Sequence, residues 1–212
     1  MNEHGIRGLV VDWGGVLTTG VDQAWSLWAD QDDVAREHLG AVLREAFGEV
    51  EGRSPVHALE RGEISGAQFE QLLATELARH GSTVAPSGLL SRMLGGLLPS
   101  ESMLGVVAQV KAAGLATAVL SNSWANDYPR AGWDELFDAV VISGEVGMRK
   151  PEHRIYQHVL QLLDLPAQAC VFVDDLPVNV AAAVEVGMVG VLHRSVDQTA
   201  AELEVLLGRS LR

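Results

Sequence analysis

Three aspartates stand where short apolar, β-branched runs stop and a turn begins. Asp12 closes Gly-Leu-Val-Val-Asp, and Asp174 and Asp175 close Ala-Cys-Val-Phe-Val-Asp-Asp. In an open parallel sheet the carboxyl ends of the strands face the crevice where ligands bind. Carboxylate-tipped strands side by side at that edge would hold a hard cation such as Mg²⁺ through oxygen. Two adjacent acids at the end of a buried strand repel each other unless a cation or a lysine balances them. The pair therefore reads as part of a phosphate-handling site.

Two further segments supply the remaining chemistry. Ala-Val-Leu-Ser121-Asn122-Ser123 is another apolar run ending in polar groups, and Ser121 and Asn122 could hydrogen-bond a phosphoryl oxygen. Gly147-Met148-Arg149-Lys150-Pro151-Glu152 places Lys150 just ahead of a helix start, a position that favours anions. Asp12 could attack phosphorus and form an aspartyl-phosphate. Gly14 and Gly15 let the chain turn tightly and bring main-chain groups close to a ligand. Each segment has an ordinary reading by itself. Asp and Ser-Asn are common turn residues after a strand, and a lone lysine is usually a solvated one.

These residues need a sheet to bring them together. Apolar, β-rich runs fall at 8–11, 115–120, 139–142, 170–173 and 189–192. Helical spacing between the later ones predicts helices at 102–113, 152–163, 177–186 and 197–207. Gly114 and Gly187 are stop signals, and Pro151 and Pro177 are read at the first helical position. This alternation predicts an α/β, doubly wound parallel sheet. Between the first two strands the chain reads as helical, at 21–29, 32–47, 55–61, 65–80 and 86–97, with Ser65 and Gln68 forming a capping box. Such an insert would sit over the carboxyl edge as a cap. The expected division is a core of 1–18 and 99–212 with a helical cap at 19–98, returning through Gly95, Gly96 and Pro99.

Composition narrows the function classes. The 212-residue chain is 48% hydrophobic and carries a formal net charge of −13, which argues against nucleic acid or an anionic membrane as partner. Cys170 is the only cysteine and reads as a buried strand thiol in a reducing compartment. No basic-then-apolar leader opens the sequence and no run approaches membrane-spanning length, so a cytoplasmic location is expected. The histidines show no zinc-site spacing.

In order and spacing, the four segments resemble the motifs of the haloacid dehalogenase-like hydrolase superfamily. The branch they most resemble holds small sugar-phosphate phosphatases and the phosphatase domain of soluble epoxide hydrolases. Arg61-Gly62-Glu63-Ile64-Ser65 in the insert, Arg154-Ile155-Tyr156 after the third segment, and Asn179 after the acid pair support that branch. The resemblance implies a Rossmann-like core and Mg²⁺-dependent hydrolysis of a small phosphorylated metabolite. It casts Asp12 as nucleophile and gives Mg²⁺ to Asp12, Asp175 and the main-chain carbonyl of Gly14. Ser121 and Asn122 would hold the phosphoryl group. Lys150 would offset charge, and Asp174 and Asn179 would act one layer behind. Cap closure would exclude water and choose the substrate. Nothing in the sequence specifies an oligomeric state.

One position departs from the pattern. Phosphatases of this family carry a second Asp two residues after the nucleophile for proton transfer, and here that position is Gly14. A placed acid or base is worth about 10²–10⁴-fold in rate. Several readings stay open: a phosphatase for esters with good leaving groups, such as a sugar 1-phosphate; or proton transfer by ordered water or by His57, Glu60 or Glu63 of the cap. A third is a phosphate-binding module without turnover. A 2-haloacid dehalogenase is a fourth, disfavoured because the acid pair is retained and no aromatic residue stands at Gly14. Trp25 and Trp28 read as cap packing and Met148 and Met188 as core filler, while Trp13 and Trp124 fit either core or site.

Overall fold

The computed structural model describes residues 5–47, 54–125 and 127–211. Strand β1 (Gly8–Val11) leads into α1 (Val21–Gln31), α2 (Arg36–Phe47), α3 (Pro55–Glu60), α4 (Gly66–Arg79) and α5 (Leu89–Leu94). Helix α6 (Glu101–Ala112) returns the chain to β2 (Ala116–Ser121), followed by α7 (Trp133–Leu136), β3 (Ala139–Ile142), α8 (Ser143–Val146) and α9 (His153–Leu163). The chain ends in β4 (Cys170–Asp174), α10 (Pro177–Val186), β5 (Val189–Leu192) and α11 (Val196–Leu207).

The five strands are all parallel, in the order β3-β2-β1-β4-β5. The chain works outward from β1 to β3 and then crosses back to β4, so the order reverses between β1 and β4. That switch point is where an open α/β sheet binds its ligands. Val11 pairs with Val173 and with Val119, which levels the ends of the three central strands. Asp12 then donates its N–H to the Val173 carbonyl at 2.9 Å, so the first and last acidic segments share one ladder.

Alternation along the strands feeds two cores. Leu9, Val11, Val171 and Val173 meet Met103, Val107 and Val110 of α6 and Leu203 of α11. Val10, Leu120 and Phe172 meet Ile155, Tyr156 and Val159 of α9 and Ala183 of α10. With helices on both faces the strands read as continuous apolar runs, not alternating ones. Cys170 is fully buried, and burial pushes its thiol up to about 11, so it is an inert core residue. Met188 and Met148 belong to the same core.

The inserted helices have their own apolar centre around Trp28, Phe69, Leu73, Leu77, Leu89 and Met93. They join the sheet through two chain segments lying side by side. Thr19 N–H donates to the Leu98 carbonyl at 2.8 Å and Ser100 N–H to the Leu17 carbonyl at 2.9 Å, flanking an antiparallel bridge between Thr18 and Pro99. No helix among the described residues is long and apolar enough to cross a membrane.

The Ser65–Gln68 capping box forms, Gly114 and Gly187 follow their helices with positive φ, and Pro177 opens α10. Pro151 differs from expectation. It follows a cis peptide bond in the turn ahead of α9, and Glu152 is the N-cap. Strand β2 begins one residue later than read and takes in Ser121, so the polar tip of that run belongs to the ladder. Helix α5 is shorter than the predicted 86–97 because Gly88 adopts the left-handed region at its start and Gly95 ends it. Helices α7 and α8, four residues each, are too short to carry a periodic signal.

One glycine fixes how the insert sits on the core. Gly62 has φ +69°, and a Cβ there would lie 2.6 Å from the Gly144 carbonyl oxygen. Gly62→Ala should destabilise the protein by about 1–3 kcal/mol, since both the conformation and the contact forbid a side chain. Gly105, inside α6 with open space around it, makes the contrasting case. Gly105→Ala should stabilise by about 0.5–1 kcal/mol. Urea denaturation of both variants reads the opposite signs directly.

Candidate active site

Strand ends and the loop before α9 deliver four charged groups to one point. Asp12 follows β1, Asp174 ends β4, and Asp175 is the first residue beyond it. One oxygen from each of these three carboxylates falls within 4.8 Å of the others, the only such cluster among the described residues. Lys150 reaches in from the turn before α9 and places its Nζ 2.7 Å from Asp12 Oδ1 and 2.7 Å from Asp174 Oδ2. It is 1% exposed, so it is an interior ion and not a surface one.

The supporting bonds divide the carboxylates by role. Asp174 is fully buried and accepts from Leu176 N–H at 2.8 Å, from Asn179 Nδ2 at 3.0 and 3.1 Å, and from Lys150. Its hydrogen-bonding capacity is spent on the protein. Asp12 receives the Trp13 N–H at 2.7 Å on Oδ1, the same oxygen that meets Lys150. Asp175 borders the cavity. It lies so close to the first turn that a Cβ on Gly15, which has φ +77°, would come within 2.3 Å of Asp175 Oδ2. The glycine is required there both for its backbone conformation and for the carboxylate beside it.

Electrostatics follow from this crowding. Burial pushes the Asp12 carboxyl well above the ordinary range; Lys150 opposes that rise, and Asp174 and Asp175 add to it. Burial and the neighbouring Asp174 raise Asp175 to about 6. Burial alone would drive the proton off Lys150, but Asp12 and Asp174 outweigh it and hold the ammonium above the ordinary lysine range. With all three carboxyls ionised, one ammonium leaves two negative charges, which a divalent cation would balance. The donors are all oxygen, so the site fits Mg²⁺ by chemistry and charge.

Ser121 sits at the end of β2, its Oγ 2.9 Å from the Tyr128 hydroxyl. Asn122 borders the same cavity, and its side chain is held by the Lys150 main chain. Its Nδ2 donates to the Lys150 carbonyl at 3.0 Å and its Oδ1 accepts the Lys150 N–H at 2.8 Å. It clamps the lysine's own main chain. Gly14 borders the cavity, and a Cβ there would meet Val21 of α1 at 3.3 Å.

Above the acids lies a cavity of about 540 Å³, bordered by α1, α2, α3 and the end of α5 and open to solvent on one side. Of the three cap residues considered for proton transfer, only Glu60 borders it. Glu60 is buried, with Oε1 accepting the Trp124 indole N–H at 3.2 Å and Oε2 paired with Arg149. Glu63 pairs with Arg61 at 2.6 Å, and Arg61 reaches Glu152 at 3.0 Å. His57 lies away from the cavity lining, its proton affinity lowered by burial and by Arg149.

Sequence reasoning missed Tyr128 and the Glu60–Arg149–Trp124 junction. Tyr128 sits in an irregular stretch where nothing aims it. The junction joins residues remote in sequence, and only the signature around Arg61–Ser65 hinted at it. Trp13, open between two roles, has both: it borders the cavity and stacks on Trp133 with ring centres 4.9 Å apart. Trp124 likewise belongs to the insert's core and to the cavity wall.

Comparison with known proteins identifies the family. A family model described as haloacid dehalogenase-like hydrolase matches residues 6–187. The sesquiterpene phosphatase astK of Aspergillus oryzae is 31% identical over 207 residues, covering 95% of this chain and 97% of that one. Bifunctional epoxide hydrolase 2 of Rattus norvegicus is 29% identical over 171 residues, covering 73% of this chain but only 31% of that protein. Among solved structures, a HAD family enzyme of Bacteroides thetaiotaomicron, in complex with magnesium and inorganic phosphate, superposes with a TM-score of 0.65 at 19% identity. It covers 89% of this chain and 94% of that one.

The raised carboxyls carry a pH signature. A folded-state carboxyl above its unfolded value of 3.8 stabilises the fold at low pH, and that contribution is lost as pH rises; for Asp175 the window runs to about 6. Lys150 stays charged throughout and adds no slope. Mg²⁺ needs the ionised carboxylates and must displace those protons. Excess Mg²⁺ should therefore raise the melting temperature little at pH 5 and clearly more at pH 7.5. A shift of equal size at both values would contradict this placement of the cation.

Proposed function

This chain belongs to the haloacid dehalogenase-like hydrolases, and from that premise we propose that it is a Mg²⁺-dependent phosphatase acting on a small phosphomonoester through Asp12. The observation that carries this reading is the meeting of Asp12, Asp175 and the Lys150–Asp174 pair at the sheet's switch point. A relative of nearly the same length bears a phosphatase name. Asp12, Asp175 and the Gly14 carbonyl would hold Mg²⁺, which when bound supplies positive charge to the phosphoryl oxygens.

The Trp13 N–H and Lys150 both meet Asp12 on Oδ1, which leaves Oδ2 to attack phosphorus. The new Asp12–phosphorus bond forms as the bond from phosphorus to the alcohol oxygen breaks. Water then attacks the phosphoryl group, releasing phosphate and restoring the carboxylate. Ser121 holds a phosphoryl oxygen in place of, or beside, Tyr128. Lys150 keeps Asp12 oriented and eases its ionisation, which bound Mg²⁺ would complete. Residues 19–98 act as the cap that covers the reaction, and Asn122 acts by fixing the Lys150 main chain.

Proton delivery to the leaving alcohol has no side chain at Gly14, and Glu60 is occupied by Arg149 and Trp124. The proton comes from water, which favours esters whose alcohol leaves readily. A sugar 1-phosphate meets that condition; so does an aryl phosphate. The second reading, a phosphate-binding module without turnover, is favoured by the same Gly14.

Phosphate release from aryl and sugar phosphates, with Mg²⁺ or with chelator, separates the two. Turnover should require Mg²⁺ and fall by more than about 10³-fold in Asp12→Asn. A folded, Mg²⁺-binding protein with no turnover on either class would favour the binding module. Gly14→Asp made together with Val21→Ala, which opens the 3.3 Å contact, should raise turnover of poor-leaving-group esters, by up to about 10²-fold.

A further inference from the structure

The walls of the cavity differ sharply from its floor. Asp12, Ser121, Lys150 and Asp175 make a floor suited to a phosphate. Above it the apolar lining includes Val21 and Trp25 of α1, Leu43 of α2, Leu94 at the end of α5, Leu97 just beyond it, and Trp124. Beyond the floor, the polar side chains in the lining are Asp22, Arg44, Glu60, Asn122, Tyr128 and Asn179. Asn122 is held by the Lys150 main chain, Asn179 Nδ2 by Asp174 and the Tyr128 hydroxyl by Ser121. Both oxygens of Glu60 are taken by Arg149 and Trp124, and that bond also consumes the Trp124 N–H. Asp22 and Arg44 are exposed to solvent. The Trp25 indole nitrogen is sealed from solvent and has no partner, so it is turned away from the chamber's open space.

A sugar brought into this space would surrender several hydroxyl–water hydrogen bonds and find few replacements. Each buried hydroxyl without a partner costs about 1–3 kcal/mol. A hydrocarbon body gains instead, by about 0.8 kcal/mol per buried CH₂. The cavity's size, about 540 Å³, lies within the range of sites that enclose small ligands. At about 30 Å³ per water-sized group, it has room for a phosphoryl group and on the order of ten further heavy atoms.

Resting on the phosphatase reading above, we propose that the substrate is the phosphate monoester of an apolar, hydroxyl-poor alcohol, whose carbon body fills the chamber between α1, α2 and α5. Selectivity is set by Leu43, Leu94, Leu97 and Trp25, and the floor recognises only the phosphate. A sugar phosphate satisfies the leaving-group condition but not the wall.

The test holds the leaving group constant while the body changes. Phenyl phosphate, a series of para-alkylphenyl phosphates of increasing length, and a para-glucosyloxyphenyl phosphate all release a phenol. With Mg²⁺ present, kcat/KM should rise about threefold to fourfold per added methylene until the chamber is full, and the glucosyl ester should be no better than phenyl phosphate. Leu43→Asn and Leu97→Asn, on separate segments of the wall, should each lower the ratio of butylphenyl to phenyl kcat/KM by at least about tenfold. Circular dichroism identifies a variant that fails to fold, leaving the other to decide. A flat or falling alkyl series, or preference for the glucosyl ester, overturns this inference while phenyl phosphate turnover keeps the phosphatase. Absence of Mg²⁺-dependent turnover on every ester overturns both.

Discussion

A single buried ammonium, Lys150, held 2.7 Å from each of two carboxylates, is the constraint on which this site rests. Taking an ion out of water costs several kcal/mol even after relaxation, and only near-ideal geometry offsets it. That geometry is present. Asn179 and the Leu176 N–H complete Asp174, and the Trp13 N–H completes one oxygen of Asp12. Lys150 also stands 5.6 Å over the Phe172 ring, a further favourable contact for a desolvated cation. The balance is deliberately incomplete in charge. Three acids and one base leave an anionic site, suited to a divalent cation and then to a phosphate bound through it.

The fold exists around that constraint. Parallel strands need crossovers, and the crossovers put the acidic tips of β1 and β4 side by side although the chain between them is long. The lysine cannot come from either strand, so it is delivered by the turn before α9. That turn is held by a two-way bond between Asn122 and the Lys150 main chain. The end of β2 therefore contributes twice, with Ser121 facing the cavity and Asn122 fixing the base that faces Asp12. Asn179 reaches Asp174 from the first turn of α10, and Tyr156 donates its hydroxyl to the Asn179 carbonyl at 2.9 Å. Core residues of α9 and α10 thus hold the charged cluster from behind.

Much of this was legible before any coordinates. The acid tips and the parallel sheet follow from apolar runs with abrupt polar ends, because a strand buried on both faces is a short continuous apolar run. Lys150 stood out by its place ahead of a helix start; the strand order came only with the structure. The insert's helical character followed from its spacing and from the Ser65 cap. What stayed illegible depends on side-chain aim. Asn122 and Ser121 are neighbours with similar chemistry, and both border the cavity, yet Ser121 meets the Tyr128 hydroxyl while Asn122 is held by the Lys150 backbone. Pro151 looked like a helix opener but occupies the turn before one, since a proline's type does not reveal which peptide isomer precedes it. Tyr128 lies outside any regular element, where no periodicity could place it opposite Ser121.

Glu60 shows why specificity and chemistry cannot be separated in this molecule. It is a cap residue, yet its two oxygens bind Arg149, the neighbour of Lys150, and Trp124, which follows the Ser121–Asn122 segment. Any shift of the insert relative to the sheet therefore pulls on both loops that carry Ser121 and Lys150. Arg61 and Glu152 form a parallel tie beside it, and Gly62 lets the cap turn press against the Gly144 carbonyl. A carboxylate spent on this junction is not free to carry a proton, so the cap does not replace the acid missing at Gly14 through Glu60. The same helices that close the chamber with leucine and tryptophan supply its mechanical link to the floor. A ligand whose body fits the wall would thereby steady the geometry around Lys150, whereas one that leaves the wall unfilled would bind the floor without that support.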